Sequence, residues 1–261
     1  MKNKIKAVFF DIDGTLVSFK THAVPESARL SIAQMRERGI KVFIATGRLL
    51  KYTGVVSDLE VDGYITVNGG YCITSSGEVI YECSIPPQIV EKVFELRRKY
   101  GFSFAILTEK GMYVERLEGR AKEVADLINI YPEVADLEHI ASTQRVLQIC
   151  PYIDPELERV IMSELEECVS SRWIDILMDI NMRGVDKSLA ARHVMEYYGY
   201  TMQQAMAFGD GGNDLPMVRD VAVGVAMGNA CEELKQVADY VTLSVDEDGV
   251  SHALRKYGLI D

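Results

Sequence analysis

Three apolar runs near the start of the 261-residue chain, each closed by a polar cluster, set the tightest limit on its fold. Ala7–Phe10 ends at Asp11-Ile12-Asp13-Gly14-Thr15, the run 40–45 ends at Thr46-Gly47-Arg48, and the run 63–67 ends at Asn68-Gly69-Gly70. A short apolar run without polar alternation suits a strand buried on both faces, as parallel strands are. Between the first two lies a helix over 25–38, with Ala28, Ile32 and Met35 at helical spacing and Gly39 as a stop. A second helical stretch is expected near 49–59. This β-α-β-α-β order predicts a Rossmann-like, doubly wound parallel sheet.

The rhythm then changes. Stretches 71–73 and 79–81 flank Ser75-Ser76-Gly77, which predicts a hairpin, and Pro86-Pro87 interrupts the chain as a hinge would. The pattern next predicts a helix over 88–100, paired strands over 104–108 and 112–115, and a helix over 120–128. A strand over 146–150, a helix over 154–168 and a strand-like stretch over 173–180 follow. That order predicts an α+β module with an antiparallel sheet. From Lys187 the first rhythm returns. A helix over 187–198 shows Leu189, Ala190, His193, Val194 and Tyr197 on one face, and strands are expected over 205–208, 221–226 and 240–243. The expected organisation is an α/β core over 1–84 and 183–261, split by an inserted α+β domain over 85–182.

Composition narrows the partners. A net charge of −11 argues against nucleic acid and against an anionic membrane, both of which favour basic surfaces. It leaves room for a small anionic substrate, since a metal makes a site locally positive. Five cysteines, an odd number with no C-x-x-C pair, argue against a disulfide framework or a zinc site. The first apolar run is far too short for a signal sequence, and no stretch approaches a membrane span. A cytoplasmic location is expected, with no obligate protein partner.

The polar residues fall where an open α/β sheet binds ligands, outside the carboxyl ends of its strands. Asp11 and Asp13, two apart on extended chain, point the same way. Asp210 and Asp214 follow the strand over 205–208. So many carboxylates in one place require a cation, and an all-oxygen set suits Mg²⁺ rather than zinc. A phosphate ester also needs donors for its oxygens. Thr46 offers a hydroxyl and, with Gly47, backbone N–H groups; Lys187 offers a charge and Asn213 an amide. Asp11 is then a reasonable nucleophile, and Asp13 a reasonable general acid and base. Arg48 is placed either to touch substrate or to form a structural salt bridge.

These segments resemble the haloacid dehalogenase (HAD) superfamily of phosphohydrolases, and its Cof-like sugar-phosphatase branch in particular. FFDIDGTL, IATGR, the Lys187 region and FGDGGNDLPM stand where the four motifs of that family stand, and NGG at 68–70 is typical of the branch. The resemblance spans nearly the whole chain. It implies Asp11 as nucleophile and Asp13 as acid and base. It implies Mg²⁺ held by Asp11, the main-chain carbonyl of Asp13 and Asp210, with Asp214 in support. Thr46, Gly47, Lys187 and Asn213 would hold phosphate or substrate, and residues 85–182 would form a cap. A small phosphorylated metabolite, a hexose phosphate foremost, is the implied substrate. The alternatives are a phosphotransferase or mutase on the same scaffold, a phosphatase of cofactor phosphates, and a non-enzymatic phospholigand-binding module.

Overall fold

A computed structural model describes residues 5–261, apart from the side chain of Trp173. In chain order the elements are β1 (Ala7–Phe10), α1 (Glu26–Glu37), β2 (Lys41–Ala45), β3 (Gly63–Thr66), β4 (Tyr71–Thr74) and β5 (Val79–Glu82). Next come α2 (Pro87–Tyr100), β6 (Phe104–Leu107), β7 (Met112–Val114), α3 (Gly119–Ile128), β8 (Glu133–Val134) and α4 (Leu137–Thr143). They are followed by β9 (Gln148–Pro151), α5 (Pro155–Met162), β10 (Cys168–Ile174) and β11 (Leu177–Met182). The last group is α6 (Lys187–Tyr197), β12 (Ala205–Gly209), α7 (Leu215–Asp220), β13 (Val223–Ala226), α8 (Glu232–Val237), β14 (Tyr240–Val241) and α9 (Gly249–Lys256).

The chain forms two compact units, one of Met1–Glu82 with Asp186–Asp261 and one of Cys83–Val185. In the first, an eight-stranded sheet runs β14-β13-β12-β1-β2-β3-β4-β5. Pairings from β14 to β3 are parallel, and the hairpin β4–β5 adds two antiparallel strands at one edge. Alternate residues of the central strands feed two cores. Val8, Phe10, Val42, Ile44, Met206 and Phe208 pack with Ile32 and Met35 of α1 and Leu254 of α9. Ala7, Phe9, Phe43, Ala45 and Ala207 pack with Ala190 and Val194 of α6 and Met217 of α7. Because both faces are covered, the strands read as unbroken apolar runs. Each fully buried Phe here contributes about 1.5–3 kcal/mol.

The second unit carries a six-stranded sheet, β10-β11-β9-β6-β7-β8, antiparallel except for β7–β8. Ile89, Val93 and Phe94 of α2, Ile140 of α4 and Ile161 of α5 pack on Phe104, Ile106, Ile149 and Ile180 of one sheet face. The fold is an α/β Rossmann-like core with an α+β insertion. All five cysteines are free.

Some local expectations need correction. Residues 49–59 form two separate 3₁₀ turns, Leu50–Tyr52 and Gly54–Val56, instead of a helix. Gly54 and two adjacent valines make poor helix interior. The helix expected over 154–168 stops at Met162, and Cys168 already begins β10. Glu164, Glu166 and Glu167 would put negative charge on the negative end of a longer helix. The strand-like stretch 173–180 is the turn of the hairpin β10–β11 with its flanks. β8 and α4 had no counterpart in the expectation. Finally, α6 buries Lys187, Ala190, Ala191, Val194 and Met195, whereas Tyr197 is 45% exposed, so the helix is rotated from the expected face.

Candidate active site

The carboxyl ends of β1 and β12 lie side by side, because the two strands pair in parallel register from Ala7↔Ala205 to Phe10↔Phe208. Asp11 follows β1 and Asp210 follows β12, so both leave the sheet at the same end. Gly14 lets the chain turn sharply there. Its φ is 79°, and a Cβ would lie 2.1 Å from Asp210 Oδ2, so only glycine fits. Lys187 is the first residue of α6, whose start is fixed by Asp186: its carboxylate accepts from Leu189 N–H at 2.7 Å.

The ammonium of Lys187 is fully buried. It donates to Asp11 Oδ1 at 2.7 Å and to Asp214 Oδ1 at 2.6 Å. The other oxygen of Asp214 accepts from the N–H groups of Asp210 and Gly211, each at 3.0 Å. Asp210 accepts from Thr15 Oγ1 at 3.4 Å and from Asn229 Nδ2 at 3.3 Å. Asn229 also donates to the Gly14 carbonyl at 2.8 Å, and its own oxygen accepts from Val245 N–H at 3.1 Å. Asn229 thus ties the turn after β1 to the loops after β13 and β14.

Asp11, Asp210 and Asp214 each bring a carboxylate oxygen within 4.8 Å of the others. Three acids against one ammonium leave the cluster short of positive charge. Burial pushes the Asp11 carboxyl well above the usual range; Lys187 opposes that shift, and Asp214 and Asp210 add to it. Asp210 is pushed up to about 7, by burial first and by Asp214 next, against Lys187 and the Thr15 hydroxyl. Burial alone would lower the Lys187 ammonium, yet Asp11 and Asp214 together hold it above its ordinary value. A buried all-oxygen set in which Asp11 and Asp210 resist ionisation fits a hard divalent cation.

Asp13 stands apart from this cluster. Its carboxylate is gripped by the guanidinium fork of Arg48, at 2.8 Å from Nε and 2.7 Å from Nη2. Arg48 Nη1 donates to the Tyr52 carbonyl at 3.0 Å. Arg48 is thus held in a salt bridge with Asp13. Thr46 is buried at the end of β2. Its N–H is spent on the Ile65 carbonyl at 2.8 Å, so the expected backbone donor at Thr46 is already engaged. The Thr46 hydroxyl accepts from Arg48 N–H at 3.1 Å and keeps its own proton to donate. Asn213 is exposed and donates to Asn68 Oδ1 at 3.0 Å. The sequence reading missed Asn229, whose signal was its place in the turn after β13, at the same end of the sheet. It also missed Asp186, an acid immediately before the first residue of a helix.

A family model for haloacid dehalogenase-like hydrolases matches residues 8–254. Among solved structures, BT1666 of Bacteroides thetaiotaomicron, a phosphatase of the HAD superfamily, is 36% identical with a TM-score of 0.93, over 98% of this chain and 96% of that one. The HAD subclass IIB sugar phosphatase BT4131 is 37% identical with a TM-score of 0.88, over 98% of this chain and 100% of that one. The 5-amino-6-(5-phospho-D-ribitylamino)uracil phosphatase YcsE of Bacillus subtilis is 28% identical, over 98% of this chain and 96% of the relative. The chain belongs to the haloacid dehalogenase-like hydrolases, a family whose phosphatases use a divalent metal. Within that family it is a phosphatase.

Proposed function

We propose that this phosphatase hydrolyses phosphomonoesters of small metabolites, hexose phosphates foremost, through an aspartyl-phosphate at Asp11. One observation carries the reading. A fully buried Lys187 joins Asp11 to Asp214 beside Asp210, a charge cluster too costly to bury for structure alone. Lys187 takes only one oxygen of Asp11. Asp11 attacks phosphorus and the ester P–O bond breaks, with Asp13 giving its proton to the departing alkoxide. Asp13 then takes a proton from water, the water oxygen bonds to phosphorus, the P–O bond to Asp11 breaks, and inorganic phosphate leaves. To carry a proton Asp13 frees one oxygen from the Arg48 fork, and the bond to the other oxygen aims it for both transfers. The Thr46 hydroxyl, Gly47 N–H, Lys187 and Asn213 hold the phosphoryl oxygens.

Asp11, Asp210 and the main-chain carbonyl of Asp13 would hold Mg²⁺, with Asp214, whose two oxygens are already engaged, in support; the ion would supply the positive charge that the acids and the phosphate share. The insertion Cys83–Val185 selects the substrate. Whole-chain likeness to the sugar phosphatase BT4131 supports a sugar phosphate, and lesser identity to YcsE supports a nucleobase-bearing phosphate as the second reading. Free thiols fit a reducing cytoplasm.

The test is a phosphate-release screen over hexose, pentose and nucleobase-bearing monophosphates, with Mg²⁺ and again with EDTA. Release from a hexose phosphate, lost with EDTA and restored by excess Mg²⁺, is expected. Metal-independent release would contradict the Mg²⁺ assignment. Phosphate recovered on a second alcohol rather than in solution would make the enzyme a transferase.

A further inference from the structure

Residues 67–70 adopt a backbone that no role assigned so far accounts for. Val67 and Asn68 sit at φ 54° and 53°. That left-handed region is tolerated by Asn and is an outlier for β-branched Val. Strain of this kind persists only where the surroundings over-determine it. Here Val67 N–H donates to the Arg48 carbonyl and Asn68 N–H to the Thr46 carbonyl, both at 3.1 Å. The strained turn is therefore stitched to the loop that bears Thr46 and Gly47. Gly69, at φ 102°, brings the same turn against the start of α6: a Cβ there would lie 2.2 Å from the Asp186 carbonyl and 3.2 Å from Lys187 N.

The Asn68 side chain completes the link. Its Oδ1 accepts from Asn213 Nδ2 at 3.0 Å. The same oxygen lies 3.0 Å from where a Cβ of Gly47 would be. One short turn thus touches the three segments that carry Thr46 and Gly47, Lys187, and Asn213. Asn213 is exposed, so without a partner its amide would sample several rotamers and binding would have to order it.

We propose that Asn68 is a positioning residue of the phosphate site: its amide oxygen holds the Asn213 amide against the Gly47 loop, so that both meet one phosphoryl group. The inference rests on the reading of Thr46, Gly47, Lys187 and Asn213 as phosphate ligands. It explains why asparagine stands at a left-handed position where glycine would be easier for the backbone.

Asn68→Gly keeps the backbone conformation and removes only the amide. Asn213→Ala removes the same hydrogen bond from an exposed side chain, where the fold is not at stake. KM and kcat for p-nitrophenyl phosphate and the inhibition constant of orthophosphate are measured with Mg²⁺ for wild type, both single variants and the double variant. Asn68→Gly is expected to raise KM and the inhibition constant about five- to tenfold, the scale of one hydrogen bond. Asn213→Ala should raise them at least as much, and the double variant no further than Asn213→Ala. A lowered melting temperature with unchanged KM and inhibition constant would mean a merely structural Asn68 and overturn the proposal. So would losses that multiply in the double variant, or an Asn213→Ala enzyme that binds orthophosphate like wild type. Asp11→Asn runs alongside: activity retained there would strike the assignment of Asp11 as nucleophile, whatever Asn68 does.

Discussion

Asp11 in the first unit and Asp179 in the second are both inner acids, but they keep opposite company. Asp11 shares the Lys187 ammonium with Asp214. Asp179 has neutral partners: the Cys150 thiol donates to its Oδ1 at 3.2 Å, and the Gln148 amide hydrogen-bonds to it. Among the described residues no cation pairs with it. Burial accordingly pushes the Asp179 carboxyl up to about 6, and the two neutral hydrogen bonds only partly oppose this. Burial raises both carboxyls, but at Asp11 a buried ammonium opposes the rise and a cation can complete the charge, whereas Asp179 has only neutral donors and is a polar patch in a sheet that prefers its proton. Its neighbours agree: Gln148 Oε1 and Asn181 Nδ2, on the adjacent strands β9 and β11, are buried without partners.

The comparison breaks first at Lys187. Lys187→Met leaves two buried carboxylates without their ammonium, and urea unfolding should show a loss of about 3–5 kcal/mol. A loss below about 1 kcal/mol would mean that the cation is not what makes the cluster tolerable. Asp179 gives the next effect, of opposite sign. Its folded value of about 6 lies above the ordinary 3.8, so the folded state holds the proton more tightly. Stability from this group is fully present below about pH 4 and is lost as pH rises through about 6. Asp179→Asn keeps an acceptor for Cys150 and removes the charge. It should therefore raise stability by roughly 3 kcal/mol at pH 8 and change nothing near pH 3.5. Melting curves of the variant and wild type at both pH values check this; equal gains at both would remove the ionisation argument.

The smallest stability effect is expected at Arg48. Its pair with Asp13 is partly exposed, with side chains 28% and 39% accessible. Arg48→Gln should therefore cost no more than about 1 kcal/mol in urea unfolding. Its turnover should nevertheless fall about tenfold, because Asp13 loses the fork that aims it. A large stability loss with normal turnover would reverse the roles assigned to this pair and to Lys187.

Much of the site was legible because its residues cluster in short windows at strand ends. Asp11, Asp13, Thr46, Asp210 and Asp214 each follow an apolar run, and the crevice rule places them together without any distance being known. Lys187 was legible as a helix start, although the buried face of α6 was not. The helix is rotated so that Lys187 points inward, and the pattern of Leu189, His193 and Tyr197 does not carry that demand. The fork between Arg48 and Asp13, and the ties made by Asn229 and Asn68, join positions far apart in the chain, which no local pattern records. In the second unit the helix over 154–168 overran because its apolar spacing outlasted its capping. The polar face of Gln148, Asp179 and Asn181 hid in strands whose other face is apolar, since alternation alone does not say which face is buried.

The most direct measurement is single-turnover phosphate release by Asp11→Asn in saturating Mg²⁺, beside wild type, on whichever monophosphate the screen finds best. The amide keeps the shape of the side chain but is no nucleophile. Release should fall at least about a thousandfold, with the protein folded by its melting curve. Release within tenfold of wild type would show that phosphorus is not attacked by Asp11, and the mechanism built on the Asp11–Lys187–Asp214 cluster would fall.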